Sequence, residues 1–168
     1  MMIVAEYSLA LETAIGPVRV TASPQGITSV AFSDVPAQAA DGAPAFLEEC
    51  GAQLRQYFSG ARADFHSLPV VFRATDFQQA VWEAAMAIPY GETRTYGHLA
   101  QGIGSEGAAR AVGTALHRNP LCIIVPCHRI VPASAPPGEC GGYAGGTWRK
   151  EWLLKMESQG FGPRLRSA

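Results

Sequence analysis

The stretch Thr95-Tyr96-Gly97-His98-Leu99-Ala100-Gln101-Gly102-Ile103-Gly104-Ser105-Glu106-Gly107-Ala108-Ala109-Arg110-Ala111-Val112-Gly113-Thr114-Ala115-Leu116-His117 decides how the second half of the chain folds. Thr95 is placed to cap a short helix over residues 96–101, because a side-chain oxygen there accepts from an otherwise unpaired N–H of the first turn. Residues 102–104 then turn the chain, and Ser105 is placed to cap a second helix over residues 108–117. This is a helix-turn-helix pattern. From Glu106 to His117 the side chains are mostly small (Gly107, Ala108, Ala109, Ala111, Gly113, Thr114, Ala115), with Arg110 as one long cation. Small residues let a helix approach a surface closely. That surface is either another helix or a nucleic-acid groove, and these residues by themselves leave both open.

Upstream, Thr75 or Asp76 serves as N-cap to a helix whose apolar stripe is Phe77, Val81, Trp82, Ala85 and Ile88, ending at Pro89. Downstream, Asn119-Pro120 stops the second helix of the pair and the apolar run over residues 121–125 reads as a buried strand. Residues 132–146 are a Pro/Gly-rich loop, and residues 147–157 form a last amphipathic helix. The first half reads differently. Residues 4–9, 18–22 and 27–32 run apolar or alternate, with turns at Gly16-Pro17 and Pro24-Gln25-Gly26, which predicts an antiparallel meander. Between residues 43 and 58, Phe46, Leu47, Cys50, Leu54, Tyr57 and Phe58 recur at helical spacing and Gly60 follows as a stop, so one helix covers a sheet face. Residues 65–72 either add a strand or lead into the second half. The change of character at residues 73–76 predicts two domains, 1–74 and 75–168, in an α/β (α+β) chain.

With 168 residues the chain is large enough to bury a real core. No apolar run approaches the roughly 18 residues needed to span a bilayer. The opening Met1-Met2-Ile3-Val4-Ala5-Glu6 lacks a basic segment and a small-residue cleavage site, so a cytoplasmic protein is expected. Cys50, Cys122, Cys127 and Cys140 form no CxxC pair and have no histidine at zinc-finger spacing, which predicts reduced thiols and no metal. Residues 1–74 hold four Lys and Arg against seven Asp and Glu, and residues 75–168 hold nine against seven. The second half is therefore where a polyanion would bind, although the excess is small enough for an ordinary solvated surface.

Cys127 lies in Val125-Pro126-Cys127-His128-Arg129-Ile130, where an apolar run gives way to a polar, turn-rich segment. A side chain there can face a pocket. A thiol attacks only as the thiolate, and an adjacent imidazole with nearby cations can lower its pKa enough to populate that form. A Cys-His dipeptide is equally compatible with a buried structural thiol. Cys122, inside the apolar run, reads as a small core residue, as does Cys50 on its helix. Cys140 sits in the loop, where a thiol can be exposed and oxidised.

Taken together, Pro126-Cys127-His128-Arg129, preceded by Ala109-Arg110-Ala111-Val112-Gly113 and Arg118-Asn119-Pro120, is followed by Gly142-Tyr143-Ala144-Gly145-Gly146. After these comes Lys150-Glu151-Trp152-Leu153-Leu154-Lys155-Met156-Glu157. This ordered set resembles the O6-alkylguanine-DNA alkyltransferases, and the resemblance runs from Thr13-Ala14-Ile15-Gly16-Pro17 through Pro89-Tyr90-Gly91-Glu92 to the last helix. It implies a ribonuclease H-like N-terminal scaffold, a helix-turn-helix (winged-helix-like) C-terminal domain, and irreversible transfer of an alkyl group from guanine O6 to Cys127. O4-alkylthymine is a second lesion within reach of that chemistry. The resemblance makes His128 the base acting through a water, Glu157 the carboxylate that holds it, and Asn119 the brace of the turn. Tyr96 would then donate to the extruded guanine, the carbonyls at Cys127 and Ile130 would accept from its amino group, and the backbone around Tyr143, Ala144 and Gly145 would donate to O6. Arg110 would replace the flipped nucleotide, with Ala109, Ala111, Gly113 and Thr95 along the DNA. No cofactor is implied, and the partner is double-stranded alkylated DNA, bound by a monomer without an obligate protein partner.

The loop between Cys127 and Tyr143 is longer than the family pattern and carries Pro132, Pro136, Pro137 and Cys140, which bears on the alkyl groups accepted and allows a Cys127–Cys140 disulfide under oxidation. Three other readings remain: a non-reactive lesion-binding protein of the alkyltransferase-like kind, in which tryptophan usually replaces the cysteine; a cysteine hydrolase; and a helix-turn-helix regulator.

Overall fold

The computed structural model describes residues 6–37, 41–61, 64–65, 67–136 and 139–160. The chain divides into two compact units, meeting in sequence between Phe72 and Arg73.

In the first unit β1 (Tyr7–Leu11), β2 (Val18–Ser23) and β3 (Gly26–Phe32) form an antiparallel meander in the order β1-β2-β3. Leu11, Val18, Val20, Ala22, Ile27 and Val30 are buried on the sheet. The first strand lies later than residues 4–9, and residues 4 and 5 are outside the described set. Helix α1 (Ala45–Phe58) starts two residues later than expected and buries Leu47, Cys50, Leu54 and Tyr57 against the strands. Of the open choice at residues 65–72, the structure takes a single bridge: Ile27 N–H donates to Pro69 O at 2.8 Å and Val71 N–H to Ile27 O at 2.9 Å. Gly26 permits it, because a Cβ there would lie 2.7 Å from Pro69 O.

The second unit is mostly helical. Helix α2 (Asp76–Met86) opens with a capping box, the Thr75 hydroxyl accepting from Gln78 N–H while the Gln78 side chain accepts from Thr75 N–H. The expected stripe is buried at Val81, Trp82, Ala85 and Ile88. After β4 (Arg94–Thr95) comes α3 (Tyr96–Gly102), capped by Thr95, whose hydroxyl accepts from His98 N–H at 3.1 Å. Helix α4 (Ala109–His117) follows, so the helix-turn-helix order is present, but Ser105 does not cap it. Ala108 holds the cap position without a side-chain bond, and Ser105 O instead accepts Ala108 N–H in the turn. The Trp82 indole N–H reaches across to Ala115 O at 2.9 Å and ties α2 to α4.

Residues 121–125 are not a strand. They fold into a buried tight turn, with Ile124 N–H donating to Cys122 O and Val125 N–H to Leu121 O at 2.9 Å each. Ile123 has φ +74°, a left-handed conformation rare for a β-branched residue. Burial of all five side chains explains why their sequence looks like a strand. A 3-10 turn over Cys127–Arg129 leads into β5 (Ile130–Val131), which pairs in parallel with β4. Helix α5 (Thr147–Ser158) buries Lys150, Leu153 and Glu157, one face at i, i+3 and i+7.

Trp82→Phe removes the indole N–H and part of the buried ring, leaving Ala115 O with the Arg118 N–H alone. We expect a loss of about 1–3 kcal/mol in chemical denaturation at unchanged m-value.

Candidate active site

Cys127 sits at the start of the 3-10 turn, 7 % exposed. It borders a cavity of about 330 Å³ lined also by Tyr96 from α3, by Gly113, Leu116 and His117 from α4, and by Gly142, Tyr143 and Ala144 from the following loop. That volume falls in the range that holds a small ligand. The pairing of β4 with β5 brings Thr95 beside Val131, which carries Tyr96 to the segment that holds the thiol.

Asn119 braces the tight turn from inside. Its Oδ1 accepts Leu121 N–H at 2.9 Å, and its Nδ2 donates to Val125 O at 2.9 Å and to Cys127 Sγ at 3.3 Å. One side chain thus shapes the turn and touches the sulfur. Burial pushes the Cys127 thiol above its ordinary value, opposed by the Asn119 hydrogen bond and the Lys150 charge. The structure therefore favours the thiol at rest rather than the standing thiolate that a neighbouring imidazole suggests in the sequence.

His128 is fully buried and its Nε2 lies 2.7 Å from Glu157 Oε1. Burial lowers the imidazole pKa although the Glu157 hydrogen bond and charge raise it, and Arg129 and Lys150 lower it further. Burial alone would raise the Glu157 carboxyl, but hydrogen bonds and charge from His128 and Arg129 outweigh it and hold the group well below the usual carboxylate range. A neutral imidazole facing a carboxylate donates from Nε2, which leaves Nδ1 as its basic nitrogen.

Glu157 has more partners than the sequence suggests. Arg129 grips it in a fork, Nε to Oε2 at 2.8 Å and Nη2 to Oε1 at 3.0 Å, while Nη1 donates to Ile88 O at 2.7 Å. Gly91 N–H donates to Oε2 at 3.2 Å from a φ of +78° that favours glycine. Arg129 is therefore committed to the carboxylate and not available as a cation for the thiol.

Lys150 was the other functional side chain hidden in the sequence. It is fully buried, and its Nζ donates to Ile130 O at 2.6 Å and Gly142 O at 3.2 Å, tying β5 to the cavity loop. Its signal was its place on the helical face shared with Leu153 and Glu157. The Ile130 carbonyl thus already accepts one hydrogen bond. Neither Ile130 nor Gly145 borders the cavity, and Gly145 O accepts Arg149 Nη1 at 2.7 Å.

On α4, Arg110 and Ala111 are exposed and Ala109 and Gly113 half-buried, while Thr95 is half-buried and occupied as a cap. Among the described residues no acid pairs with Arg110. Burial raises the Tyr96 phenol, and charge on Cys127 and Cys140 would raise it further, so it stays a hydrogen-bond donor. Cys140 is buried at 7 % exposure rather than presented by its loop, and all four cysteines are free thiols. Pro137 lies outside the described residues. Among the described residues no cluster of three or more His, Cys, Asp or Glu side chains could hold a metal ion, and no helix is long and apolar enough to cross a membrane.

Fold and site define a class: an α/β chain of two units, the helical one holding a cavity-lining thiol beside a buried imidazole–carboxylate couple. Residues 7–72 match the ribonuclease-like domain of 6-O-methylguanine DNA methyltransferase, and residues 76–159 match its DNA-binding domain. A methylated-DNA–protein-cysteine methyltransferase of Methanosarcina acetivorans is 41 % identical over 157 residues, covering 90 % of this chain and 97 % of that one. The counterpart in Mycobacterium bovis is 53 % identical over 105 residues, covering 62 % of this chain and 61 % of that one. The crystal structure of Mycobacterium tuberculosis O6-methylguanine methyltransferase superposes with a TM-score of 0.81 at 37 % identity, covering 96 % of this chain and 98 % of that one. A second structure of the mycobacterial protein, in complex with DNA, gives 0.80 at 39 % identity, covering 94 % and 96 %. This chain belongs to the 6-O-methylguanine DNA methyltransferase family.

Acid stability should report the relay. A buried imidazole with a lowered pKa stays neutral in the fold while the unfolded chain binds a proton, so stability falls as pH drops below the ordinary value of 6.5. Glu157, whose folded pKa is depressed, adds stability that is present above its ordinary 4.5 and is lost as pH falls from there toward its folded value. Urea midpoints across pH 7 to 3 should decline in both windows. Glu157→Gln should lose about 3–5 kcal/mol at pH 7, because Arg129 is left buried without its anion, and should flatten the decline below 4.5.

Proposed function

We propose that the protein repairs alkylated duplex DNA by direct reversal, taking the alkyl group of O6-alkylguanine onto Cys127 once per molecule. The observation that carries this reading is the Cys127 sulfur on the wall of a base-sized cavity, with the His128–Glu157 couple buried beside it. An alkyl carbon on O6 lies inside the duplex stack, so the nucleotide must swing out for the sulfur to reach it. Gly113 and its neighbours on α4 would lie along the minor groove, with Arg110 filling the vacated place in the stack. The second unit would thus carry DNA binding and chemistry, and the first would act as scaffold.

The step balances without a cofactor. The Cys127 proton passes toward the basic nitrogen of the neutral His128, through a water as in the family. The sulfur forms a bond to the alkyl carbon, the C–O6 bond breaks, and its electron pair enters the purine. Tyr96, kept protonated, donates to the leaving guanine, and backbone N–H groups of the loop at Ala144 stabilise negative charge on O6; both interactions strengthen toward the transition state. Glu157 fixes the tautomer of His128 and stabilises its cation. The product is a thioether. No group in the site is suited to cleave it, which supports single turnover. We assign the working species as a monomer acting where cellular DNA is accessible, in the cytoplasm.

Intact mass after incubation with a duplex bearing one O6-methylguanine should rise by one methylene unit, with the label on Cys127 in peptide maps and none in Cys127→Ala. Unchanged mass despite tight lesion binding would instead identify a recognition protein. Glu157→Gln should slow transfer by about 10²–10⁴-fold, read by single-turnover kinetics.

A further inference from the structure

Among the described residues the exposed large hydrophobic side chains are Val35, Met86 and Trp148, the last at 54 % exposure. Trp148 differs in being held. The Arg149 guanidinium lies 4.5 Å from its ring centroid, and Arg149 Nη1 donates to Gly145 O at 2.7 Å. A Cβ on Gly146 would touch the edge of the indole at 3.5 Å, so backbone packs there. The ring thus lies next to the segment that supplies Gly142, Tyr143 and Ala144 to the cavity wall, and the cation over it is tied to that segment through Gly145 O. Another wall is α4, where Arg110 lies one turn before Gly113 and His117 one turn after it. Two elements that supply the cavity wall thus each carry a cation a few residues from their wall positions, Arg110 on one and Arg149 on the other, and beside Arg149 an indole is exposed to solvent.

An indole backed by a guanidinium is a surface suited to a nucleobase or sugar on one side and a phosphate on the other, and it is tolerant of sequence because every base has a π-face. We propose that Trp148 and Arg149 form a stacking platform at the rim of the cavity for the nucleotide next to the extruded alkylguanine on the same strand. The indole stacks on that nucleotide and Arg149 faces its phosphate. This rests on the repair reading above. It gives the protein a hold on the DNA separate from α4, on the other side of the point where the base leaves the helix.

The test compares Cys127 alkylation by a duplex carrying one O6-benzylguanine with alkylation by the free base O6-benzylguanine, which needs the cavity but has no flanking strand. Trp148→Ala should slow the duplex reaction at subsaturating DNA by about 5- to 30-fold, within the range of one lost base stack. Its reaction with the free base should be unchanged, and Trp148→Phe should stay close to the wild type on both. The emission of Trp148, taken as the wild type minus Trp148→Phe, should be quenched by duplex. A Trp148→Ala protein that reacts with duplex at the wild-type rate overturns the platform. Equal slowing on both substrates overturns it too, by making Trp148 a prop for the cavity loop. If the wild type is alkylated by neither substrate, the repair reading fails, and quenching by duplex still decides the platform: its presence upholds the contact and its absence removes it.

Discussion

The carboxylate of Glu157, 2 % exposed, receives four hydrogen bonds from two places far from it in sequence: the neighbours His128 and Arg129, the latter through both edges of its fork, and Gly91 N–H. A buried carboxylate is costly unless its charge is paired and its lone pairs are used. Here both conditions are met, and meeting them ties α5 to the 3-10 turn and to the segment after α2. The same contacts decide the protonation of the site. The pull of His128 and Arg129 keeps Glu157 ionised against its burial, and an ionised Glu157 is what makes Nε2 the donating nitrogen of His128. Remove the carboxylate and the fold loses a junction while the imidazole loses its orientation.

A second constraint acts at the thiol. In the proposed reaction Cys127 must be dry enough to meet an alkyl group without competing water, yet burial opposes its ionisation. Asn119 and Lys150 partly offset that cost, and each does so while holding backbone in place. Asn119 closes the tight turn that drives Ile123 to positive φ, a strained conformation of the sort that persists only where surrounding contacts over-determine it. Lys150 ties β5 to the cavity loop. Site chemistry and local backbone shape therefore rest on the same few side chains.

The legible parts of the sequence were those where periodicity and capping agree with the tertiary result. Thr75 and Thr95 cap as their positions suggest, and the Val81-Trp82-Ala85-Ile88 stripe is buried as spaced. Misreadings fall where burial and secondary structure part company. Residues 121–125 are apolar because they are buried, not because they are extended, and a run of five buried residues cannot announce that its third member is left-handed. Ser105 had the right chemistry for a cap, but Gly104 and Gly107, at φ +70° and +80°, turn the chain on either side of it and move the helix start beyond it. Cys140 looked exposed because loops usually are, whereas Lys150 beneath the loop draws that segment inward.

By itself the sequence determined the class of fold and the family, because these depend on local patterns and on motifs whose order survives in one dimension, and it pointed to Cys127 only through the resemblance. It named His128, Glu157 and Asn119 through resemblance alone. Only the tertiary structure decided what those residues do to one another: that Arg129 belongs to the carboxylate, that Lys150 is buried, that the thiol is favoured over the thiolate at rest, and that an indole stands at the edge of the cavity loop. The physical reason is that protonation and hydrogen bonding depend on distance and burial. Glu157 and Gly91 are 66 positions apart in the chain and 3.2 Å apart in the fold, a separation that no local pattern encodes.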